Sequence, residues 1–188
     1  MSDVIRIAGI AGSLRKGSMN KSALRAAAKL APKGTVLDIV DLEGIPGFSE
    51  DLEQNFPPPA RDFKAKVKAA DAILIVTPEY NYSVPGVLKN AIDWASRPYG
   101  DSAWNAKPVA IMGASVGMLG TARAQYHLRQ TFVFLNMFPL NQPEVMIANA
   151  SEKFDEQGNL TDATTEEKIK ELVEALVFWT TQLKKARA

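Results

Sequence analysis

Apolar residues in this chain alternate between short continuous runs and stripes of helical spacing, and the alternation repeats five times. Val4 to Ile10 reads as a buried strand and the alanine-rich stretch Asn20 to Leu30 as a helix. The Pro32-Lys33-Gly34 break then introduces a second strand from Thr35 to Asp41. Ala60 to Ala70 predicts a helix. Ala72-Ile73-Leu74-Ile75-Val76-Thr77 is the clearest central strand, because its β-branched run is closed by proline. Pro85 suits the first position of the next helix, on which Val84, Val87, Leu88, Ala91, Ile92 and Ala95 form one apolar stripe. Pro108 to Ala114 predicts a fourth strand, Thr121 to Leu135 a fourth helix and Glu144 to Ile147 a fifth strand. In the last helix Thr164 and Glu167 form a candidate capping box, ahead of a stripe of Ile169, Leu172, Val173, Leu176, Thr180 and Leu183. Phe56-Pro57-Pro58-Pro59 and the polar segment Ala150 to Asp162 read as loops, and neither has the character of a domain linker.

Alternating βα units with short connections imply an α/β fold, in which a parallel sheet is covered by helices on both faces. Five strands fit the flavodoxin-like three-layer sandwich of order 2-1-3-4-5. With 188 residues and 46% hydrophobic content, residues 1–188 are expected to form a single domain around one well-buried core. In such a sheet ligands bind beyond the carboxyl ends of the strands, at the switch point between strands 1 and 3.

Composition narrows the chemistry. The absence of cysteine excludes disulfides, thiolate metal sites and cysteine nucleophiles, so redox chemistry would have to come from a bound cofactor. A single histidine, His127, makes a histidine metal cluster implausible, and its polar helical neighbours read as those of an ordinary partly exposed residue. A net charge of +1, with the basic residues scattered, gives no footprint for nucleic acid. The N-terminus lacks the pattern of a secretory signal, and no segment approaches the ~20 apolar residues of a membrane span, so a cytoplasmic protein is expected.

The two loops at the switch point carry the candidate chemistry. Gly12-Ser13-Leu14-Arg15-Lys16-Gly17-Ser18-Met19-Asn20 leads from the first strand into the first helix. It has the makings of a phosphate cradle: small residues that expose backbone N–H groups, donors on Ser13, Ser18 and Asn20, a planar cation on Arg15, and the positive end of a helix. Ser18 and Met19 stand where a Walker A motif needs Lys and Ser/Thr. Gly9, Gly12 and Gly17 do not make the G-x-G-x-x-G dinucleotide spacing, although Asp38 or Asp41 could pass for the ribose-binding acid. After the third strand, Pro78-Glu79-Tyr80-Asn81-Tyr82-Ser83-Val84-Pro85 offers aromatic and amide surface to a flat heterocycle. A phosphate site paired with a ring site points to a mononucleotide such as FMN.

These two loops, the continuation Gly86-Val87-Leu88-Lys89-Asn90-Ala91-Ile92-Asp93-Trp94 and the stretch Gly113-Ala114-Ser115-Val116-Gly117-Met118-Leu119-Gly120 together resemble the NADPH-dependent FMN reductase family. Bacterial members of that family include quinone reductases and chromate reductases. The match runs from the first strand to about Glu144 with three motifs in family order. The resemblance implies that Ser13, Arg15, Ser18 and Asn20 hold the FMN phosphate, with Met19 in the same cofactor-binding loop. It places Pro78, Glu79, Tyr80, Asn81 and Tyr82 beside the ring system, completed by Ser115 and Gly117. Glu79 reads equally as a solvated carboxylate at the approach to the helix, and Asp93 and Trp94 read as structural.

The implied reaction passes hydride from NADPH or NADH through FMN to quinones or similar small-molecule acceptors, chromate and azo compounds among the candidates. FMN carries the chemistry, so no catalytic side chain is expected. The alternative is a flavodoxin-like one-electron carrier. The balance of 22 basic and 21 acidic residues disfavours it, since carriers dock through one-signed surfaces. A homodimer or homotetramer is expected from the family and from two local features. One is the Trp94-Ala95-Ser96-Arg97-Pro98-Tyr99-Gly100 exit of the third helix; the other is an i, i+3 pairing of Arg123 with Tyr126.

Overall fold

Alternation along each strand decides which helical layer its side chains meet. In β1 (Ile5–Ala11), Ala8 and Ile10 enter one core while Ile5, Ile7 and Ala11 enter the other. β3 (Ala72–Val76) and β4 (Pro108–Ala114) divide in the same way, and every residue of both is buried. The computed structural model describes residues 4–187. On one face Phe63 and Val67 of α2 (Pro58–Ala69), Leu88, Ala91 and Ile92 of α3 (Gly86–Ala95), and Leu128 and Phe132 of α4 (Ala122–Phe134) close over Ile73, Ile75, Val109 and Ile111. On the other face Ala23, Leu24 and Ala27 of α1 (Met19–Lys29) join Ile169, Leu172, Val173 and Leu176 of α5 (Ala163–Arg187), over Leu74, Val76, Ala110 and Met112. Each large aliphatic side chain so buried contributes roughly 1.5–3 kcal/mol relative to exposure.

All strand pairs are parallel. With β2 (Thr35–Val40) at one edge, the order is β2-β1-β3-β4-β5, as the alternating pattern predicts. The fifth position differs in detail from a single strand over Glu144 to Ile147. β5 (Phe138–Pro139) pairs with the start of β4 and β6 (Val145–Ile147) with its end. Pro143, which has no N–H to give to a ladder, stands between them.

Four further expectations are corrected. Pro58 and Pro59 belong to the first turn of α2, a position proline tolerates because that N–H has no helical partner. α3 starts at Gly86, with Pro85 just outside it. The segment from Ala150 to Asp162 is not wholly irregular: it holds a 3-10 turn at Ala150–Glu152 and an antiparallel bridge between Phe154 and Leu160. α5 is capped by Asp162, not Thr164. The Asp162 carboxylate accepts from the Thr165 N–H at 2.9 Å and from the Thr165 hydroxyl, and so takes one of the orphan donors of the first turn.

Candidate functional site

The loops that follow β1, β3 and β4 gather at the carboxyl edge of the sheet, stitched together by the strand ladders themselves. Gly12 donates its N–H to Val76 at 2.9 Å, Thr77 to Met112 at 2.9 Å and Ser115 to Ile147 at 3.0 Å. Close packing here depends on absent side chains. A Cβ on Gly113 would lie 1.9 Å from Thr121 Oγ1 and 2.3 Å from the Thr77 carbonyl oxygen; one on Gly12 would meet Leu88 at 3.0 Å.

In the first loop Ser13 and Ser18 are buried, while Arg15 is exposed and pairs with no carboxylate among the described residues. Ser18 caps α1 by accepting from the Lys21 N–H at 3.4 Å, and Ser13 Oγ accepts from the Arg15 N–H at 3.3 Å. The N–H groups of Met19 and Asn20, which open α1, have no partner among the described residues. Free N–H groups at a helix start, in a loop that also carries Arg15, are what an anion-binding helix terminus requires. The Met19 side chain packs against the core on the α1–α5 face. Asn20 is committed elsewhere: its Nδ2 donates to the Ala114 carbonyl at 2.9 Å and its Oδ1 accepts from the Ala114 N–H at 2.8 Å. Its side chain therefore ties the start of α1 to the end of β4.

The loop after β3 is a tight turn with its aromatics outward. Tyr80 and Ser83 exchange backbone hydrogen bonds of 3.1 and 2.9 Å around Asn81 at φ 50° and Tyr82 at φ 64°. Two successive positive φ values are those of a type I′ turn. Tyr80 is 51% exposed and Tyr82 66%, so neither is core packing. Pro78, which precedes the turn, is buried.

Glu79 is neither a solvated carboxylate nor free to face a ligand. One carboxylate oxygen accepts from the Arg123 and Ala124 N–H groups at 3.0 and 3.2 Å, and the other from Arg123 Nη1 at 2.7 Å. Burial alone would push this carboxyl up. The Arg123 side chain and the two amides outweigh it and hold the group below the ordinary carboxylate range. The Arg123 guanidinium lies 3.7 Å over the Tyr82 ring, and the expected Arg123–Tyr126 pair gives way to this arrangement. One turn further along α4, His127 Nδ1 lies 2.9 Å from Ser83 Oγ on an exposed surface.

In the third loop Ser115 Oγ accepts from the exposed Gly117 N–H at 3.1 Å. Val116, Met118 and Leu119 point to solvent and give the edge an apolar rim. A cleft of about 740 Å³ lies elsewhere: it is lined by Arg97, Tyr99, Asn105, Phe134 and Asn136 at the far ends of α3 and α4. The loop edge is the better candidate, because none of the residues lining that cleft opens an α-helix, the feature that suits a phosphate. Trp94 is also not part of any surface. It is fully buried, packs edge-on to Phe48 and Phe56 and donates from Nε1 to the Pro46 carbonyl at 2.8 Å, so it is a core residue and not an interface one.

The chain is similar to known proteins over most of its length. The sequence pattern described as NADPH-dependent FMN reductase matches residues 5–152. The chain is 53% identical over 185 residues to an NAD(P)H-dependent FMN reductase of Pseudomonas aeruginosa, covering 98% of this chain and 100% of that protein. It is 46% identical over 175 residues to a 2-hydroxy-1,4-benzoquinone reductase of a Burkholderia species, covering 93% and 96%. Among solved structures it superposes on FerB, a flavoenzyme NAD(P)H:(acceptor) oxidoreductase from Paracoccus denitrificans, with a TM-score of 0.88 and 35% identity. That match covers 95% of this chain and 98% of the other.

Proposed function

The chain belongs to the NADPH-dependent FMN reductase family, and we propose that it is an NAD(P)H-dependent oxidoreductase that uses FMN to reduce quinones or similar small acceptors. The observation that carries this reading is the pairing at one sheet edge of an anion-binding helix terminus with an outward aromatic turn. The residues present fit FMN. Met19 and Asn20 N–H groups without a partner among the described residues and the exposed Arg15 suit a phosphate, while Gly12 and Gly113 let the loops of this edge pack closely against Leu88, Thr77 and Thr121. When bound, FMN supplies the two-electron transfer between a nicotinamide cofactor and an acceptor.

The protein's part is orientation and access. In this reading Ser13, Arg15, Ser18, Met19 and Asn20 form the phosphate end of the site, Asn20 through its backbone N–H. Pro78, Tyr80, Asn81 and Tyr82, with Ser115 and Gly117, flank the ring. The exposed Val116, Met118 and Leu119 leave the edge open to planar, apolar acceptors. No side chain needs to act as a nucleophile. The single sheet with a core on each face supports reading the chain as one cofactor-binding domain.

The relatives are named as reductases, which favours turnover over one-electron carriage. We also propose a homodimer or homotetramer, supported by exposed apolar residues: Tyr99 and Phe134, which line one cleft, and Tyr126 and Val133 on α4. No helix among the described residues is long and apolar enough to cross a membrane.

Purified protein should be yellow and should release FMN on denaturation. It should oxidise NADPH or NADH faster when a quinone is added. Colourless protein that neither takes up FMN nor oxidises either nicotinamide refutes the reading.

A further inference from the structure

Thr121, at the cap position of α4, does not cap it. No cap bond comes from its side chain; its hydroxyl turns inward beside Gly113 and accepts from Gln125 Nε2 at 3.1 Å. The first turn of α4 is closed instead by Glu79, a residue 44 positions earlier on the turn after β3. The two arms of the carboxylate engage both the helix backbone and the Arg123 guanidinium, which in turn covers Tyr82. Tyr82 holds a left-handed conformation that a bulky side chain adopts only when its surroundings impose it. Ser83 meets His127 one helical turn further on, so the turn lies along α4 at three points. The Ser115–Gly120 loop enters the same first turn of α4 and is anchored with it.

We infer that Glu79 is a positioning residue for the cofactor ring: by closing α4 from the turn after β3, it sets the spacing of the two loops between which that ring would lie. The inference rests on the FMN reading for its consequence, though the coupling of the loops is a property of the chain alone. A cap that served only helix stability would be expected from a neighbour in sequence. Supplied from the ring-side turn, it transmits any displacement of that turn to the loop after β4.

The test compares wild type with Glu79→Gln, Glu79→Ala and, as a cap far from these loops, Asp162→Asn. Amide hydrogen exchange on flavin-free protein should show faster exchange at residues 80–83 and 123–124 together in the Glu79 variants, with the central strands unchanged. Dissociation constants for FMN and riboflavin should rise in parallel, by about tenfold for Glu79→Ala, since the disturbed contact is to the ring and not the phosphate. Asp162→Asn should lower thermal stability and leave both constants alone. Unchanged flavin affinity in the Glu79 variants overturns the inference. So does a loss confined to FMN, or an equal loss in Asp162→Asn. If Glu79→Ala does not fold, Glu79→Gln, which keeps an acceptor oxygen, carries the measurement. Wild type without affinity for either flavin refutes the cofactor reading; the exchange data then decide the coupling, with joint deprotection supporting it and unaltered exchange overturning it.

Discussion

Both arms of the Asn20 side-chain amide close on the backbone of Ala114, at 2.9 and 2.8 Å, across 94 residues of sequence. The pair stands in for a ladder rung. It satisfies the last N–H and carbonyl of β4 on the side where α1 begins, and both residues are buried.

Replacing Asn20 with Ala should therefore leave two buried backbone groups unpaired, at about 1–3 kcal/mol each. Urea denaturation should report the loss in flavin-free protein, before any effect on cofactor binding. Stability equal to wild type would show that water substitutes fully for the amide.

Arg15 is the exposed cation of the first loop. Arg15→Ala should weaken FMN binding by about 1.5–3 kcal/mol, the scale of a charged hydrogen bond, and leave riboflavin nearly unaffected. Equal losses for the two flavins would remove Arg15 from the phosphate site.

The two glycines at the ends of this region should respond in opposite senses to alanine. Gly113→Ala drives a methyl into Thr121 and the Thr77 carbonyl and should cost about 1–3 kcal/mol or more. Gly86→Ala, at the open start of α3 with nothing within 4 Å, should be neutral or stabilise by about 0.4–1 kcal/mol. Thermal melts of the two variants side by side would check the pair.

Asp162 carries a pH signature. Hydrogen bonds from the Thr165 side chain and from Lys153 hold its carboxyl at about 2, below the ordinary 3.8. A lowered folded-state value means that its contribution is complete above about pH 4 and disappears as pH falls through about 2. Asp162→Asn should be less stable than wild type at neutral pH, and the gap should narrow across that window. A gap that stays constant down to pH 2 would assign the cap to another group.

Association can be read from mass. Light scattering across a dilution series should give a particle well above the 20.5 kDa of one chain. A species that stays monomeric at micromolar concentration with full activity rules the oligomer out.

Periodicity and breakers in the sequence sufficed for the order of elements, the parallel sheet and the two switch-point loops, because these are local properties: strand runs, helical stripes, and glycine and proline at turns. The cleavage of the fifth strand into β5 and β6 was half legible in Pro143. Side-chain roles within the site were not. Ser18 and Asn20 looked like two more side-chain donors of the first loop, but Ser18 caps α1 and Asn20 binds Ala114, to which nothing near it in sequence points. Glu79 looked free because its partners, Arg123 and the first amides of α4, are brought beside it only when β3 and β4 pair and α4 folds back over them. Trp94 read as structural yet also stood in the stretch expected at an interface; Phe48 and Phe56, which cover its ring, are brought there only by the fold. Local pattern along the chain was enough to place the segments that reach the carboxyl edge of the sheet. Which polar groups remain available there was decided by tertiary structure, since a buried donor or acceptor takes the partner that the fold sets within about 3 Å, whatever the distance along the chain.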